Sequence, residues 1–575
     1  MSRIERGLGA PAGAEVARAV DLIVTDDWTT PALEAPLAAL GTRRAAAPVV
    51  LVHDHTRPPE AYEGADRARV AALRARRDAF ALRFGVEVIE GLGIQHHVLY
   101  ELGRVRPGML VLGNDSHAPT LGAYGAVAIA AQPTTIAAAM HTGRIVMRVP
   151  DTVRIRLEGR LGPGVTARDA ALEFRRRVGA RANGPRTTGR ALEFEGPGVA
   201  TLSMAERAVI ANVAPELAAV TASFPVDGEP DDDPHGEAAG LVLDLAAVRP
   251  AVAPAGGEIA SVASLPRTRV DRVFVGTCAG GTFEEIVAFA DALGARAAVP
   301  TVVAPASAAI EARLRRAGVL ARLEAAGAQL LPPGCGPCFG FGVGRLGDGE
   351  VAVTTGNRNG VGRMGSPTSR VHLAAGATAG EAARSGWLGS DGPPATRPGA
   401  GDTRASVSWP RRGNVMRLVG TVTTDDLTPS FVPGVGASSD TDPAVLRRLL
   451  LAHVAPEAAE RDLRGAVLVA GHDFGSGSNR ASAVRALRLA GVAAVVARSA
   501  SPLYAAGARD EGLVLVELDD DDFHAAAGPD ARVEVDLDAG RVVVDGRAFP
   551  VPAATPYERA VRAAGGVVAY LRALG

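Results

Sequence analysis

The stretch Asp271-Arg-Val-Phe-Val-Gly-Thr-Cys278-Ala-Gly-Gly-Thr282-Phe-Glu-Glu285 carries a strand, a cysteine and a helix start in direct succession. The apolar run ending at Gly276 reads as a short buried strand. Thr282 followed three residues later by Glu285 is the capping-box pattern, opening a helix that runs through Leu293. Cys278 therefore falls in the loop at a strand's carboxyl end, where α/β folds place their chemistry.

The same alternation repeats outward from this stretch. Pro48-Val-Val-Leu-Val-His53 reads as a strand, Arg67 to Phe84 as a helix, and Met109-Leu-Val-Leu-Gly113 as the next strand. Strands alternating with helices imply an α/β protein with largely parallel sheets. A chain of 575 residues, 47% of them hydrophobic, has room for three or four domains with ample cores. Two segments read as linkers. Asp227 to Gly257, rich in Pro, Asp, Gly and Ala, connects sub-domains or forms a surface excursion. Gly389 to Gly413 has a composition that cannot bury enough to fold. The main boundary is placed there, giving a core of residues 1–388, a linker of 389–413 and a C-terminal domain of 414–575, which has ordinary single-domain size.

A formal net charge of -2 leaves no electrostatic footprint for nucleic acid or a membrane surface. The chain has no lysine, so every anion site must be built from arginine forks, which suit carboxylates. The polar, glycine-rich Met1 to Gly13 does not read as a signal peptide. The apolar stretch from Tyr124 to Met140 is broken by Gln132, Pro133 and threonines, so it does not read as a membrane span. The expectation is a soluble cytoplasmic protein.

Three cysteines, Cys278 and the pair in Cys335-Gly-Pro-Cys338, are an odd number that argues against a disulfide framework. Three thiolates and a histidine could close a zinc site. They could equally hold an iron–sulfur cubane with one iron left without a thiolate, and such an iron acts as a Lewis acid. Three unrelated buried cysteines are the third reading.

Other loops add titratable and anion-binding groups. Asp54-His55 follows the second strand, and a carboxylate beside an imidazole fixes its tautomer and raises its basicity; a structural strand-end histidine is the alternative. Gly93-Ile-Gln-His96-His97 and Asn114-Asp115-Ser116-His117 bring further groups to loop positions, and no Gly-x-Ser-x-Gly elbow surrounds Ser116. Gly356-Asn-Arg358-Asn-Gly-Val-Gly-Arg363 offers two guanidinium forks in a glycine-rich loop, or a solvated loop with incidental arginines. Ala466 to Gly475 leads through Ser476-Gly-Ser478-Asn-Arg480 into a helix. That strand, turn and helix N-terminus form an anion cradle in which Ser478 could be held as an alkoxide.

In order and spacing this set, together with Asn212-x-x-x-Glu216 and Thr424-Asp425, resembles the aconitase superfamily over nearly the whole chain. The resemblance implies three α/β domains around a [4Fe–4S] cluster, closed by a swivelling fourth domain. It implies Cys278, Cys335 and Cys338 as cluster ligands and Ser478 as the base that removes a carbon-bound proton. His55, oriented by Asp54, becomes the acid assisting hydroxide departure, with His96, Asp115, His117 and Glu216 around the water. Arg358, Arg363 and Arg480 would hold carboxylates, alongside Asp425, Ser116 and Thr29. The early strand with Asp27 and Thr29 is similar to the large subunit of 3-isopropylmalate dehydratase. The ending from Val533 to Leu571 is similar to its small subunit. The expected protein is thus both subunits in one chain, needing no separate small subunit. Its substrate would be a small hydroxy di- or tricarboxylate of the isopropylmalate, homocitrate or aconitase type. The loop Asp426 to Gly434 has no arginine for an extra carboxylate, which favours an apolar or neutral third substituent. The family pattern is broken at Asp26, Ala279-Gly280, Thr282, Asn479-Arg480-Ala481-Ser482 and Ser499 to Pro502, as for an unusual substrate. An RNA-binding relative and a zinc-bound structural protein are the rival readings.

Overall fold

The runs Leu22–Asp26, Val49–His53 and Leu110–Gly113 are buried at every residue, the pattern of strands covered on both faces. In the computed structural model of the chain they pair in parallel with Glu87–Glu90 and Val127–Ala130 as one five-stranded sheet. The structure describes residues 1–179, 186–226, 240–390, 406–429, 431–432, 435–437, 442–478 and 481–574. A second sheet, all parallel, takes Thr221–Ser223, Ala191–Glu195, Thr152–Glu158 and Leu241–Asp244 in that order. The third orders Gln329–Leu330, Thr301–Val303, Arg272–Val275, Val351–Thr354 and Arg370–Ala374 in parallel, with Ala251–Ala253 and then Ala260–Ser261 added antiparallel beyond Arg370–Ala374. A fourth sheet, Ser406–Ser408, Val415–Val419, Val467–Ala470, Ala494–Ala497 and Val514–Glu517, belongs to the C-terminal part. The fold is the α/β architecture with largely parallel sheets that the alternation of strands and helices implied.

Local expectations hold in outline and differ in detail. The helix expected over 67–84 runs over Gly64–Phe84. Thr282 caps Phe283–Leu293 by accepting from the Glu285 amide. Glu285 does not complete the box: its carboxylate is drawn inward to the Gly376 amide (2.7 Å) and the Arg168 amide (3.3 Å). A buried tertiary acceptor role outcompetes the local cap. The described part of Asp227–Gly257 includes two of the strands above, Leu241–Asp244 and Ala251–Ala253, so it joins the second sheet to the third. Those short apolar runs are hidden by the polar composition around them; residues 227–239 lie outside the described residues. At the Gly389–Gly413 segment, the Ser390 amide still bonds Leu265 in the core (3.1 Å). Ser406–Ser408 is already an edge strand antiparallel to Val415–Val419.

The C-terminal part docks on the helix Pro133–Thr142. Thr134 Oγ1 donates to Glu511 (2.8 Å), and Thr135 bonds the buried Asp510. Val561 and Val567 pack on Ala138. A Cβ at Gly507 would lie 2.5 Å from Gln132 Cγ, so this glycine permits the close approach. Among the described residues no helix is long and apolar enough to cross a membrane.

Candidate active site

Parallel sheets deliver their chemistry at strand carboxyl ends, and four strand ends here face one cleft. Asp54 and His55 follow Val49–His53, and Asp115, Ser116 and His117 follow Leu110–Gly113. Cys278 follows Arg272–Val275, and Asn357 and Arg358 follow Val351–Thr354. The C-terminal part adds Ser478, from the turn after Val467–Ala470. All line one cleft with Cys335, Cys338 and Arg363. Cys278 sits in a one-turn helix, Thr277–Gly280, rather than in an open loop. Thr277 enters it at φ 75°, a left-handed conformation that costs a threonine about 1–3 kcal/mol and persists only where packing imposes it.

His55 is held in a frame of buried carboxylates. Its Nδ1 lies 2.7 Å from Asp54 Oδ1 and 4.0 Å from Asp26 Oδ1. Asp54 Oδ2 accepts from the Gln95 amide (3.0 Å). Asp27 clamps the turn itself by accepting from the amides of Asp54, His55 and Thr56 (3.1, 2.9 and 2.9 Å). Burial opposes charging His55, but Asp54 and Asp26 hold its pKa well above the usual range. Burial lifts Asp26 to about 7, with His55 pulling the other way. The surrounding carboxylates therefore favour the charged form of His55.

A second chain of groups starts 3.9 Å from His55 Nε2 at Asp115 Oδ2. Asp115 Oδ1 meets His96 Nε2 (2.9 Å) and accepts from the His117 amide (2.7 Å). His117 Nε2 meets Glu216 Oε1 (3.1 Å), which also takes Arg358 Nε (3.1 Å). Burial pushes Glu216 up, yet His117 and Arg358 bring it down to about 2. His117 is raised: burial opposes its charge, but Glu216 and Asp115 favour it. His96 lines the cleft, and its Nδ1 is buried without a hydrogen-bond partner.

Arg358 ties the core to the serine loop. Its Nη1 donates to Ser478 Oγ (2.9 Å), and its Nη2 to Ser116 Oγ (3.0 Å) and the Gly477 carbonyl (2.9 Å). Arg363 Nη1 reaches the same Ser478 Oγ (3.5 Å). Two guanidinium groups aimed at one hydroxyl oxygen favour its anion.

The three cysteines share the cleft, and each sulfur's surroundings bear on what it holds. Cys278 Sγ accepts N–H from Asn357 (2.9 Å) and Asn212 (3.2 Å), and Cys338 Sγ from Arg363 (3.5 Å). Burial pushes the Cys278 and Cys335 thiols up, with neighbouring Asp115 and Asp54 adding to it. As free thiols they would be neutral and poor acceptors, so donors aimed at sulfur fit thiolates bound to a metal centre. Single-ion groupings among the described residues are Asp54, His55 and Cys335, and Asp26, Asp27 and His55, with ligand atoms within 4.8 Å of one another. Neither holds two of the thiols. A lone zinc needs all its sulfurs on one ion, whereas the thiolates of a cubane each take a different iron. The donor set fits a multi-iron cluster.

Most of the expected site residues are thus brought together, with three qualifications. Arg480 lies outside the described residues. Thr29 Oγ1 donates to Asp26 Oδ2 (2.7 Å) and so supports the His55 frame. Asp425 lies 3.9 Å from Arg363 at a 40% exposed position on the rim. Of the groups that frame His55, Asp26 and Asp27 stood out only through the family resemblance of the early strand, with no sign of this role, and Gln95 had no signal beyond its place beside His96. His97, lowered to about 4 by burial, donates to the Cys278 carbonyl (2.8 Å), a role invisible beside His96 in sequence.

A model of the aconitase family (aconitate hydratase) matches residues 11–231 and 252–386, and one of the aconitase C-terminal domain matches 454–521. The 3-isopropylmalate dehydratase large subunit of Pyrococcus horikoshii is 36% identical over 398 residues, covering 68% of this chain and 99% of that protein. The homoaconitase large subunit of Thermus thermophilus is 38% identical over 358 residues, covering 59% of this chain and 83% of that one. A solved 3-isopropylmalate dehydratase from Methanocaldococcus jannaschii is 29% identical, covers 28% of this chain and 93% of its own, and superposes with a TM-score of 0.25. The family model spans more than half of the chain, which therefore belongs to the aconitase family, as an enzyme of its hydro-lyase type.

Proposed function

We propose that this chain is a [4Fe–4S]-dependent hydro-lyase that dehydrates and rehydrates, and so isomerises, a hydroxy di- or tricarboxylate of the isopropylmalate type. Residues 1–388 are the cluster-binding core, 389–413 the connection, and 414–575 the swivelling domain that other enzymes carry as a separate small subunit. The match of the C-terminal family model within 414–575 supports this division.

The observation that carries the reading is Ser478 Oγ, a hydroxyl from the C-terminal part held by two guanidinium groups of the core at 2.9 and 3.5 Å. Family members generally bind a [4Fe–4S] cluster, and one held by Cys278, Cys335 and Cys338 supplies a Lewis acid at the iron without a thiolate. The chain's own residues do the rest. Arg358 and Arg363 bind the substrate carboxylates and lower the energy of the Ser478 alkoxide, which takes the carbon-bound proton. His55, its Nδ1 proton fixed by Asp54, gives the Nε2 proton to the departing hydroxyl. Asp115, bridging His96 and His117, orients the water, and Glu216 keeps His117 charged.

The test is anaerobic reconstitution with iron and sulfide, then a panel of hydroxy acids followed by absorbance of the unsaturated product. Turnover of at least one acid is expected, with Ser478→Ala reducing it by orders of magnitude while iron content stays. Full activity in Ser478→Ala sinks the assigned base.

A further inference from the structure

Aromatic residues make up 4% of the chain, yet four of them meet at one wall of the cleft. Tyr62 and Phe341 form the base, 7% and 6% exposed, with centroids 5.2 Å apart. Trp28 stands on Phe341 (5.4 Å) and meets Phe339 edge-on (5.1 Å). Phe339 in turn lies edge-on to the His55 ring (5.3 Å). The Arg69 guanidinium lies over Trp28 at 4.7 Å, a cation on the indole face. A purely structural cluster would cover its rings. Here the base is covered, while Trp28 and Phe339 remain half-buried and line the cleft. Half-open aromatic surface inside a cavity is surface waiting for an apolar partner.

The same cleft is lined by Arg358, Arg363 and Ser478. The cleft therefore offers guanidinium forks to carboxylates and, beside the proposed acid His55, ring surface to an apolar group. From this, resting on the function proposed above, we infer that Trp28 and Phe339 form a specificity subsite for a bulky apolar, aryl-sized substituent of a hydroxy dicarboxylate. The third group of that substrate is then an aryl-bearing hydrocarbon, larger than isopropyl.

Dicarboxylates without a hydroxyl cannot be dehydrated, so their binding reads the subsite apart from turnover. Calorimetric titration of the reconstituted protein with benzylsuccinate and with succinate is expected to favour the benzyl compound by about 10- to 100-fold, the range one apolar group gives in a fitted pocket. Trp28→Ala should collapse that ratio to within about threefold, and Trp28→Phe should restore most of it. Should Trp28→Ala not fold, the wild-type ratio still decides. Equal affinities, or tighter binding of tricarballylate with its third carboxylate, overturn the subsite. If benzylsuccinate is preferred but no hydroxy acid is turned over, the hydro-lyase reading fails and the subsite stands. If substituted malates are turned over without a benzyl preference, the reverse holds.

Discussion

Arg358→Lys keeps the positive charge and removes the fork. The guanidinium, only 11% exposed, works in two directions at once. Nε meets Glu216 at 3.1 Å, while the Nη atoms serve Ser478, Ser116 and Gly477 at 2.9, 3.0 and 2.9 Å. An ammonium is a single point and cannot stand at both ends of that span. Whichever end it keeps, at least two charge-assisted hydrogen bonds are lost, at about 1.5–3 kcal/mol each. Water entering the space recovers part of this. Loss of one donor to a developing oxyanion lowers kcat by about 10²–10³, and that is the drop expected here. The assay is steady-state turnover at saturating substrate with iron content matched to wild type. A double variant with Ser478→Ala should be no slower than Ser478→Ala alone, because groups acting as one unit are not additive. A kcat within about threefold of wild type refutes the coupling of Arg358 to Ser478. So does a double variant that is slower by the full product of the two single effects.

Other consequences follow from the same contacts. Glu285 is pushed up to about 7 by burial, so the folded state holds its proton more tightly than the unfolded chain does. Its contribution to stability is therefore full below about pH 4.5 and is lost as pH rises towards 7. The thermal midpoint should fall over that window, and Glu285→Gln should flatten the slope even if it lowers the midpoint itself. Asp510 is buried against Thr135 and Arg509, the latter at 2.8 Å. Asp510→Ala removes the Thr135 bond across the interface and should weaken docking of the C-terminal part by about 1–3 kcal/mol, read as an earlier calorimetric transition for that part. A Cβ at Gly280 would lie 1.9 Å from Thr355 Oγ1. Gly280→Ala should cost about 1–3 kcal/mol by overpacking and lower the retained iron by displacing the Cys278 turn.

Sequence reading reached the fold class because strands buried on both faces are uninterrupted apolar runs, and Val49–His53 or Leu110–Gly113 cannot be read otherwise. The candidate site residues came from the family resemblance; what the residues alone implied was the place of several of them in the loops after those strands. What sequence reading missed depends on contacts between distant segments. Glu285 looks like a helix cap until Gly376 is placed beside it, and Leu241–Asp244 looks like a linker until Thr152–Glu158 is there to pair with it. The asparagines on Cys278 Sγ come from positions 212 and 357, and no local pattern marks either as a sulfur donor. The aromatic wall joins Trp28 to Phe339 across more than half the chain. Arg480, expected beside Ser478, lies outside the described residues, and Arg358 and Arg363 occupy the role of its guanidinium partners.

The central claim is that Cys278, Cys335 and Cys338 would hold a cluster in the cleft that Ser478 also lines, and metal analysis tests it most directly. Anaerobically reconstituted protein should carry about four iron and four sulfide per chain. Cys335→Ala should lose the stable cluster and all turnover, while Ser478→Ala keeps the cluster and loses only turnover. Zinc without sulfide in the purified protein, or a full cluster with full activity in Cys335→Ala, contradicts the account.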